Sequence, residues 1–341
     1  MRWYVYSNSA PWLPNRFHDG AVSEGQRKFM GTLWNTYAFF VLYANIDEFD
    51  ATKYTLEYDK LSVMDKWLLS KLNTLVKTVD DNLANYKITE TARVLDNFVD
   101  ELSNWYVRRS RARFWVKEMT QDKINAYMTL YTALVTLCKA AAPMIPFMTE
   151  DIYQNLVRNI DKSAPESIHL CDFPEYDEKL NFPKDVESME LIMQSISAIR
   201  NRRAEMNVPP SKKAKVIIVT DKTDVFKQGT AFFEKLASAS EAVVQTDKSG
   251  ISDNAVNVVV PSAEVFLPLD ELVDKTKELE RLNAEKKKLE GEIKRVEGKL
   301  NNAGFVSKAP QKVVDEEKAK GEKYKEMLEK VLENIKSMEN M

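Results

Sequence analysis

The sequence has few of the side chains that build metal sites and disulfides. It contains two histidines, His18 and His169, and two cysteines, Cys138 and Cys171. We expect these four residues to form neither a zinc quartet nor a disulfide framework. A chain without disulfides fits the reducing environment of the cytoplasm, where we expect this protein to be found.

Glycine, proline and long apolar runs are also scarce. Only nine glycines and 12 prolines occur in 341 residues, which favours helices over turn-rich sheet. No run approaches the ~18–20 apolar residues of a membrane span, and we expect no signal peptide. Charge is nearly balanced, with 49 Lys and Arg against 52 Asp and Glu. An interaction with nucleic acid would therefore have to rest on local patches.

Patterns typical of catalytic sites are missing as well. The sequence has no phosphate-binding glycine loop of the Gly-x-x-x-x-Gly-Lys type. His18 and His169 are isolated and are interpreted as structural. The acidic pair Asp80-Asp81 is typical of a solvated helix surface. We therefore predict no catalytic residue and no metal site in this chain.

The length allows two or three domains, and the first two predicted segments are helical. Residues 1–60 include an aromatic run, MRWYVYSNSAPW, which we expect to pack against something upstream. Residues 61–183 contain apolar residues at spacings of three and four, as in the stripe from Trp67 to Leu83. Further helices are predicted from Thr89 and over Asp122 to Ala141. Together they predict a helix bundle followed by a linker.

Residues 184–268 predict a helix followed by a small α+β module. Short apolar runs at Val216 to Val219 and Ala242 to Gln245 indicate strands, with an amphipathic helix over Val225 to Ser238 between them. Residues 255–260 and 264–269 indicate a hairpin around Pro261-Ser262.

Residues 269–341 differ in composition from the rest. From residue 268 onwards there are 17 basic and 17 acidic residues, and leucine, isoleucine and valine recur at heptad spacings. The segment Asn301 to Pro310 cannot continue a helix. The pattern predicts an antiparallel coiled-coil hairpin with arms of about 45 Å. The fold class is thus mainly α: a helix bundle, a small α+β junction module and a C-terminal antiparallel coiled-coil hairpin.

The most distinctive run is LSNWYVRRSRARFWVK, from Leu102 to Lys117. Guanidinium groups grip phosphate oxygens and aromatic rings stack on exposed bases, so a basic helical face beside aromatics suits RNA. The alternative is that the aromatics form core and the arginines bridge acidic residues. The candidate RNA-binding residues here are Arg108, Arg109, Arg111, Arg113 and Lys117.

Two further basic clusters are weaker signals. Arg200, Arg202 and Arg203 lie near a predicted helix end, where a solvated face is an equally good interpretation. The predicted hairpin places Lys294, Arg295 and Lys299 near its tip and Lys308 in its loop. Coiled-coil surfaces are always charged, so this pattern alone favours a solvated face there too.

Several runs together resemble the isoleucyl-tRNA synthetase family. Over roughly residues 1–175 these include GTLWNTYAFFVLYANID, LSNWYVRRSRARFW and APMIPFMTEDIYQNL. From about Tyr176 the sequence resembles valyl-tRNA synthetase instead. The runs that carry this second resemblance include IRNRRAEMNVPPSKKAKVIIV and the turn FVSKAP at Phe305 to Pro310. The chain is thus interpreted as a hybrid whose seam lies near Phe173 to Asp185.

The resemblance implies that the bundle is an anticodon-binding domain and that the hairpin touches the outer corner, or elbow, of tRNA. The partner would be tRNA-Ile or tRNA-Val, with no DNA and no membrane, and the chain would be a monomer. The family's ATP-binding signatures, His-Ile-Gly-His and Lys-Met-Ser-Lys-Ser, and its editing domain are not found here. The full-length family consists of ligases that use ATP and magnesium. We expect this chain to need no cofactor and to be inactive alone.

The resemblance raises the expectation that some of the arginines between residues 108 and 113 contact tRNA and that the basic residues of the hairpin contact its phosphates. The cluster from Arg200 to Arg203 is kept as a further candidate for tRNA contact. Trp105 and Trp115 are expected to pack in the bundle. A rival hypothesis makes the chain a helical protein–protein interaction module that pairs through its hairpin. A stand-alone ligase would require a catalytic domain.

Overall fold

The computed structural model describes residues 1–10, 12–14, 17–252, 254–268, 275–301 and 311–339. It divides into two compact units, Met1–Glu190 and Leu191–Met341. Within the described ranges, no helix is both long enough and apolar enough to span a lipid bilayer.

The first unit is helical. Its helices are α1 (Arg2–Asn8), α2 (Asp19–Gly25), α3 (Gly31–Ile46), α4 (Val63–Ala84), α5 (Ile88–Glu101), α6 (Arg108–Trp115), α7 (Gln121–Ala141) and α8 (Pro146–Tyr153), and α9 (Pro183–Glu205) begins here. Five-residue or six-residue π-helical turns precede α3, precede α6 and follow α8, at Gln26–Met30, Leu102–Val107 and Gln154–Arg158. Short 3-10 turns lie between α3 and α4, at Ala51–Lys53 and Tyr58–Lys60, and in the linker between α8 and α9, at Ile168–Leu170 and Glu178–Leu180.

Helix α4 is the centre of the bundle, and both α5 and α7 pack on it. It begins with a capping box in which the Ser62 side chain accepts from the Asp65 amide and the Asp65 carboxylate accepts from the Ser62 amide. This arrangement satisfies two backbone donors at the helix start. The predicted apolar stripe from Trp67 is confirmed, because Trp67, Leu72 and Val79 are buried.

Two aromatic residues of the N-terminal run pack within the chain. Trp3 is buried and stacks on Phe29, with ring centroids 3.6 Å apart and an interplanar angle of 4°. Tyr4 is buried as well and meets Phe17 edge-on. Both partners lie downstream in sequence, where helix periodicity alone could not pair them with α1.

The second unit contains a four-stranded mixed sheet with strand order β2-β1-β4-β3. Its strands are β1 (Ala214–Val219), β2 (Ala239–Gln245), β3 (Ala255–Val260) and β4 (Ala263–Pro268). β1 and β2 are parallel, whereas β4 is antiparallel to both β1 and β3. The predicted strands and hairpin are therefore confirmed.

The helix predicted over Val225 to Ser238 is instead two helices, α10 (Thr223–Gln228) and α11 (Thr230–Leu236). They are separated at Gly229. A Cβ atom at Gly229 would lie 2.9 Å from two side-chain carbons of Ile192, which is fully buried on α9. The missing side chain thus permits close packing between this corner and α9.

Two long helices complete the second unit, α12 (Lys275–Leu300) and α13 (Gln311–Glu339). Lys299 pairs with Glu317 and Glu297 with Lys325, so the two helices run in opposite directions. Leu289, Val331 and Ile335 form a buried cluster on which Tyr324 and Leu328 pack. The hairpin connection over residues 302–310 lies outside the described residues, and the coiled-coil hairpin stays a prediction.

Candidate nucleic-acid interface

The basic-aromatic run forms the π-helical turn Leu102–Val107 and then α6. One side of this helical segment faces the bundle core. Its buried residues recur at steps of four: Leu102, Tyr106, Ser110 and Phe114 are each at most 1% exposed. The buried side fixes which residues of α6 face the solvent.

The solvent side of α6 presents Arg108, Arg111 and Trp115, all exposed. Steps of three and four residues place these side chains on one helical face. The Arg111 guanidinium lies 6.0 Å from the ring centroid of Phe39 on α3. The Trp115 indole N–H donates a 2.7 Å hydrogen bond to the Tyr43 hydroxyl, also on α3. We call Arg108, Arg111 and Trp115 the α6 face.

The expectation that Trp115 packs in the bundle is wrong. Trp115 is 60% exposed, whereas the adjacent Phe114 is 1% exposed and meets Tyr127 and Phe39 edge-on. Neighbouring helical residues point about 100° apart, so Phe114 and Trp115 face different directions, and here Phe114 takes the core position. Trp105 is half-buried, and the Arg109 guanidinium lies 5.4 Å from its ring centroid.

Arg113 is engaged inside the protein. Its two terminal nitrogens each lie 2.8 Å from an oxygen of the fully buried Asp65 carboxylate. Its Nε and Nη2 also donate to Asp122 at 2.9 and 2.8 Å. Burial acts to lower the pKa of Arg113, but Tyr106, Asp65 and Asp122 more than offset it, and the pKa is raised.

The Asp65 carboxylate is held by several donors. Burial alone would raise its pKa, but the hydrogen bonds and charge of Arg113, together with hydrogen bonds from Tyr106 and Ser62, lower the pKa instead. The Tyr106 hydroxyl donates at 2.6 Å, and burial beside this carboxylate raises the pKa of Tyr106 well above its ordinary value. Asp65 therefore remains ionised in the core and connects α4 to α6.

A second buried charge fixes the end of α6. Lys123 on α7 is almost fully buried, and its ammonium donates to the Val116 carbonyl at 2.6 Å and pairs with Asp47 at 2.7 Å. Asp47 also accepts a hydrogen bond from the Tyr127 hydroxyl. Burial is the largest cause that raises the pKa of Tyr127, and the hydrogen bond to Asp47 is the second. Val116 is extended and ends α6, and Lys117 after it is exposed.

The second basic cluster lies at the end of α9. Arg200 and Arg202 are exposed, and Arg202 pairs with Glu205 at 3.0 Å. Arg203 is only 4% exposed, and its guanidinium donates to the Pro209 and Lys212 carbonyls. Burial lowers the pKa of Arg203. Arg203 thus stabilises the turn that leads into β1.

The third cluster lies on α12. Lys294, Arg295 and Lys299 are exposed. Arg295 pairs with Glu292 at 2.6 Å, and Lys299 pairs with Glu317 on α13 at 3.3 Å. Lys308 lies outside the described residues.

Sequence reasoning missed Phe39 and Tyr43, which contact the α6 face from α3. Their spacing of four residues shows that they share a helical face. It does not show that this face meets α6, more than 60 residues later in the sequence. Within the described part of the chain, no group of three or more His, Cys, Asp and Glu side chains could hold a metal ion.

Comparison with known protein families assigns two segments. Residues 65–218 match the family described as the anticodon-binding domain of tRNA ligase. Residues 274–339 match the family described as the valyl tRNA synthetase tRNA binding arm. Both matched families are domains of tRNA ligases, and the chain is similar to them over these two segments. The first match contains the whole of α6 and runs through α9 into β1.

Individual relatives show both resemblances. The isoleucine–tRNA ligase of Clostridium novyi (strain NT) is 52% identical over 222 residues, which are 65% of this chain and 21% of that protein. The valine–tRNA ligase of Clostridium perfringens (strain 13 / Type A) is 42% identical over 342 residues, which are 99% of this chain and 38% of that protein. The chain therefore spans well under half the length of these relatives.

These matches overlap along the chain. The isoleucine-ligase match spans 222 residues. It is therefore longer than the segment of roughly residues 1–175 whose sequence runs resemble isoleucyl-tRNA synthetase. The valine-ligase match covers nearly the whole chain, including its first part. The predicted resemblance to both ligases is confirmed. The identity is 52% over the shorter isoleucine-ligase match and 42% over the longer valine-ligase match.

Proposed function

We propose that the chain binds tRNA, holding the anticodon stem-loop with its bundle and the elbow with α12 and α13. The observation that carries this proposal is the α6 face. Two exposed arginines and an exposed tryptophan share one side of a helix inside the segment that matches the anticodon-binding family. Such a face offers both phosphate contacts and ring stacking.

We propose that the predicted arginines have two different roles. In this proposal Arg108, Arg109, Arg111 and Lys117 contact RNA phosphates. Arg113, whose donors are taken up by Asp65 and Asp122, positions α6.

At the end of α9, the exposed Arg200 and Arg202 contact RNA and the buried Arg203 holds the turn. The domain boundaries at residues 60/61, 183/184 and 268/269 belong to the same proposal.

For the arm we propose that α12 and α13 form an antiparallel coiled-coil hairpin joined across residues 302–310. Their mutual burial of Leu289, Val331 and Ile335 supports this arrangement. Lys294, Arg295, Lys299 and Lys308 would then contact the phosphates at the elbow of the tRNA. Such contacts place an RNA without reading its sequence.

The test is a titration of tRNA-Ile and tRNA-Val transcripts at two salt concentrations. Phosphate contacts release counterions, so affinity should fall steeply as salt rises. The double variant Arg108→Gln/Arg111→Gln should bind more weakly and show a shallower salt dependence, by roughly one unit of slope per lost contact. The ratio of the two affinities reports which tRNA the chain prefers.

The matched control is Lys87→Gln/Arg93→Gln, which removes two exposed positive charges elsewhere on the bundle. It should leave the salt slope nearly unchanged. Absence of binding at low salt, or equal binding to an unrelated duplex RNA, would contradict the proposal.

The rival hypothesis, a protein-interaction module, predicts a dimer through the arm. Leu289 on α12 is buried in one cluster with Val331 and Ile335 on α13. This supports an arm whose apolar residues are already covered by its own two helices, which argues against the rival hypothesis. Sedimentation distinguishes the two, because a stable dimer that is lost on deleting residues 289–328 would favour the rival.

A further inference from the structure

A cavity of about 200 Å³ lies between α3, α7 and the π-helical turn Gln154–Arg158. We call it the α3 cavity. Its most deeply buried lining residues are Tyr37 and Phe40 of α3 and Leu156 of the π-helical turn, each at most 7% exposed. An apolar cavity of about 150 Å³ can hold one benzene ring. The α3 cavity therefore has room for one aromatic ring with a small substituent.

Two uncommon backbone features border the α3 cavity. Glu48 has a φ of 51°, in the left-handed region that residues with a side chain rarely adopt. After this turn the Phe49 amide donates to the Ala44 carbonyl at 2.8 Å, and Phe49 lines the cavity. The π-helical turn supplies further lining residues, and such turns occur frequently at functional sites. Irregular backbone on two elements around one cavity points to a role beyond packing.

The α3 cavity also contains polar groups that can serve a ligand. Asn45, Tyr131 and Asn159 line it, and none of these three side chains hydrogen-bonds to another residue that the structure describes. Burial, Asp161 and Asp50 raise the pKa of Tyr131, so its hydroxyl is protonated at neutral pH and can donate. The two asparagine amides can each donate and accept. A ligand in the cavity would thus meet buried apolar surface and several available hydrogen-bonding groups.

The α3 cavity and the α6 face lie on different sides of α3. Phe39 and Tyr43 of α3 contact the α6 face. Val41, which lines the cavity, is two residues from each of them, and helical residues two apart point about 200° away from each other. A molecule in the α3 cavity would therefore leave the α6 face free.

We propose that the α3 cavity binds a small neutral aromatic molecule that carries a carboxamide group. The ring fits against the buried apolar lining, and the carboxamide, which donates and accepts, complements Tyr131 and the two asparagines. The ligand is neutral, because the apolar lining disfavours any charge and the carboxylates of Asp50 and Asp161 near Tyr131 repel an anion. This site goes beyond the proposed RNA binding and does not depend on it.

The experiment is a ligand-detected NMR titration of the full chain with three probes of similar size. Benzamide has the proposed chemistry, benzoate replaces the carboxamide by an anionic carboxylate, and toluene replaces it by a methyl group. Benzamide should bind saturably with a Kd of about 0.1–10 mM, as expected for a ligand of so few atoms. Benzoate should bind at least about tenfold more weakly because of desolvation and repulsion. Toluene should bind about 2- to 10-fold more weakly, the range for loss of one hydrogen bond.

Tyr131→Phe removes one hydroxyl from the lining and keeps the ring. It should lower the affinity for benzamide by about 2- to 10-fold and leave the affinity for toluene unchanged. Tyr54→Phe is the matched control. The Tyr54 ring stacks on Phe49 with the centroids 5.3 Å apart, but Tyr54 does not line the cavity. Its removed hydroxyl should therefore change neither affinity.

Val41→Phe places a larger side chain in the lining of the α3 cavity. It should abolish the binding of both benzamide and toluene, and circular dichroism checks that the variant is folded. If Val41→Phe fails to fold, the comparison of Tyr131→Phe with Tyr54→Phe still decides the inference.

Absence of saturable benzamide binding would overturn the inference, and so would equal affinities for benzamide and benzoate. Equal effects of Tyr131→Phe and Tyr54→Phe would also overturn it, because the hydroxyl in the cavity would then not hold the ligand. Release of benzamide by an anticodon stem-loop RNA would do the same, because the cavity would then belong to the RNA interface. Benzamide binding by a chain that fails to bind tRNA would support the inference and refute only the proposed function.

Discussion

Arg113 and Asp65 form a two-pronged ion pair across the bundle, with both nitrogen–oxygen distances at 2.8 Å. The arginine belongs to α6 and the aspartate to the first turn of α4. Because the same carboxylate also completes the capping box of α4, one side chain fixes the start of one helix and the orientation of another.

Removing the Asp65 charge should therefore destabilise the bundle strongly. Asp65→Asn leaves the guanidinium of Arg113 without its buried counter-charge, and breaking such a pair costs about 3–5 kcal/mol. Urea unfolding followed by circular dichroism measures the loss. Asp122→Asn is the control, because the Asp122 side chain is 59% exposed and its contribution should stay below about 1 kcal/mol. If the two variants lost equal amounts of unfolding free energy, burial would not be the reason why the Arg113–Asp65 pair stabilises the bundle.

The same pair predicts a pH dependence. The pKa of Asp65 is lower in the folded chain than its ordinary value of about 3.9, so the folded state binds fewer protons there than the unfolded state. Its contribution to stability is complete above about pH 5 and is lost as the pH falls through the folded-state pKa. The difference in unfolding free energy between the unmodified chain and Asp65→Asn should shrink below about pH 4. A difference that stays constant from neutral pH to pH 3 would contradict this prediction.

Gly229 should not tolerate a side chain. A Cβ there would lie 2.9 Å from two carbons of Ile192, a rigid and fully buried branched side chain. Gly229→Ala should cost about 1–3 kcal/mol through overpacking.

Shortening Ile192 should relieve this clash. In a double-mutant cycle, Gly229→Ala should cost less in an Ile192→Ala background than in the unmodified chain. If the losses in unfolding free energy from Gly229→Ala and Ile192→Ala were strictly additive, the strain from the added methyl group would not arise from its contact with Ile192.

Two glycines of the arm give a matched pair. Gly321 on α13 faces Val296, and an added Cβ would lie 3.2 Å from its Cγ1, whereas no atom lies within 4 Å of a Cβ added to Gly298 on α12. Gly298→Leu should stabilise α12 by up to about 1 kcal/mol through helix propensity. Gly321→Leu gains the same propensity but should destabilise the α12–α13 packing by about 1–3 kcal/mol. Thermal unfolding followed at 222 nm compares them, and a stabilising Gly321→Leu would show that the helices do not pack here.

The sequence was most informative where local rules act. Apolar spacing predicted α4 and α7 within one or two residues, because a buried stripe and a capping side chain such as Ser62 define a helix locally. The strands of the small sheet followed from short apolar runs for the same reason. The division of residues 223–236 at Gly229 depends on a contact with Ile192, which no local rule contains.

The candidate site was only partly predictable. The run from Leu102 to Lys117 identified the arginines, but their roles depend on partners from other helices. Asp65 lies 48 residues before Arg113, and Tyr43 lies 72 residues before Trp115. Periodicity showed that Phe114 and Trp115 point in different directions, but not which one faces the core.

The π-helical turn at Leu102–Val107 directly precedes α6, so the number of residues in this turn determines which side chains of α6 face the solvent. Each residue added to or removed from a helical segment rotates everything after it by about 100°. Removal of one residue from this turn would carry Trp115 into the core position that Phe114 occupies and would draw Arg113 away from Asp65. The face that α6 presents is therefore specified as much by the number of residues before it as by their identity.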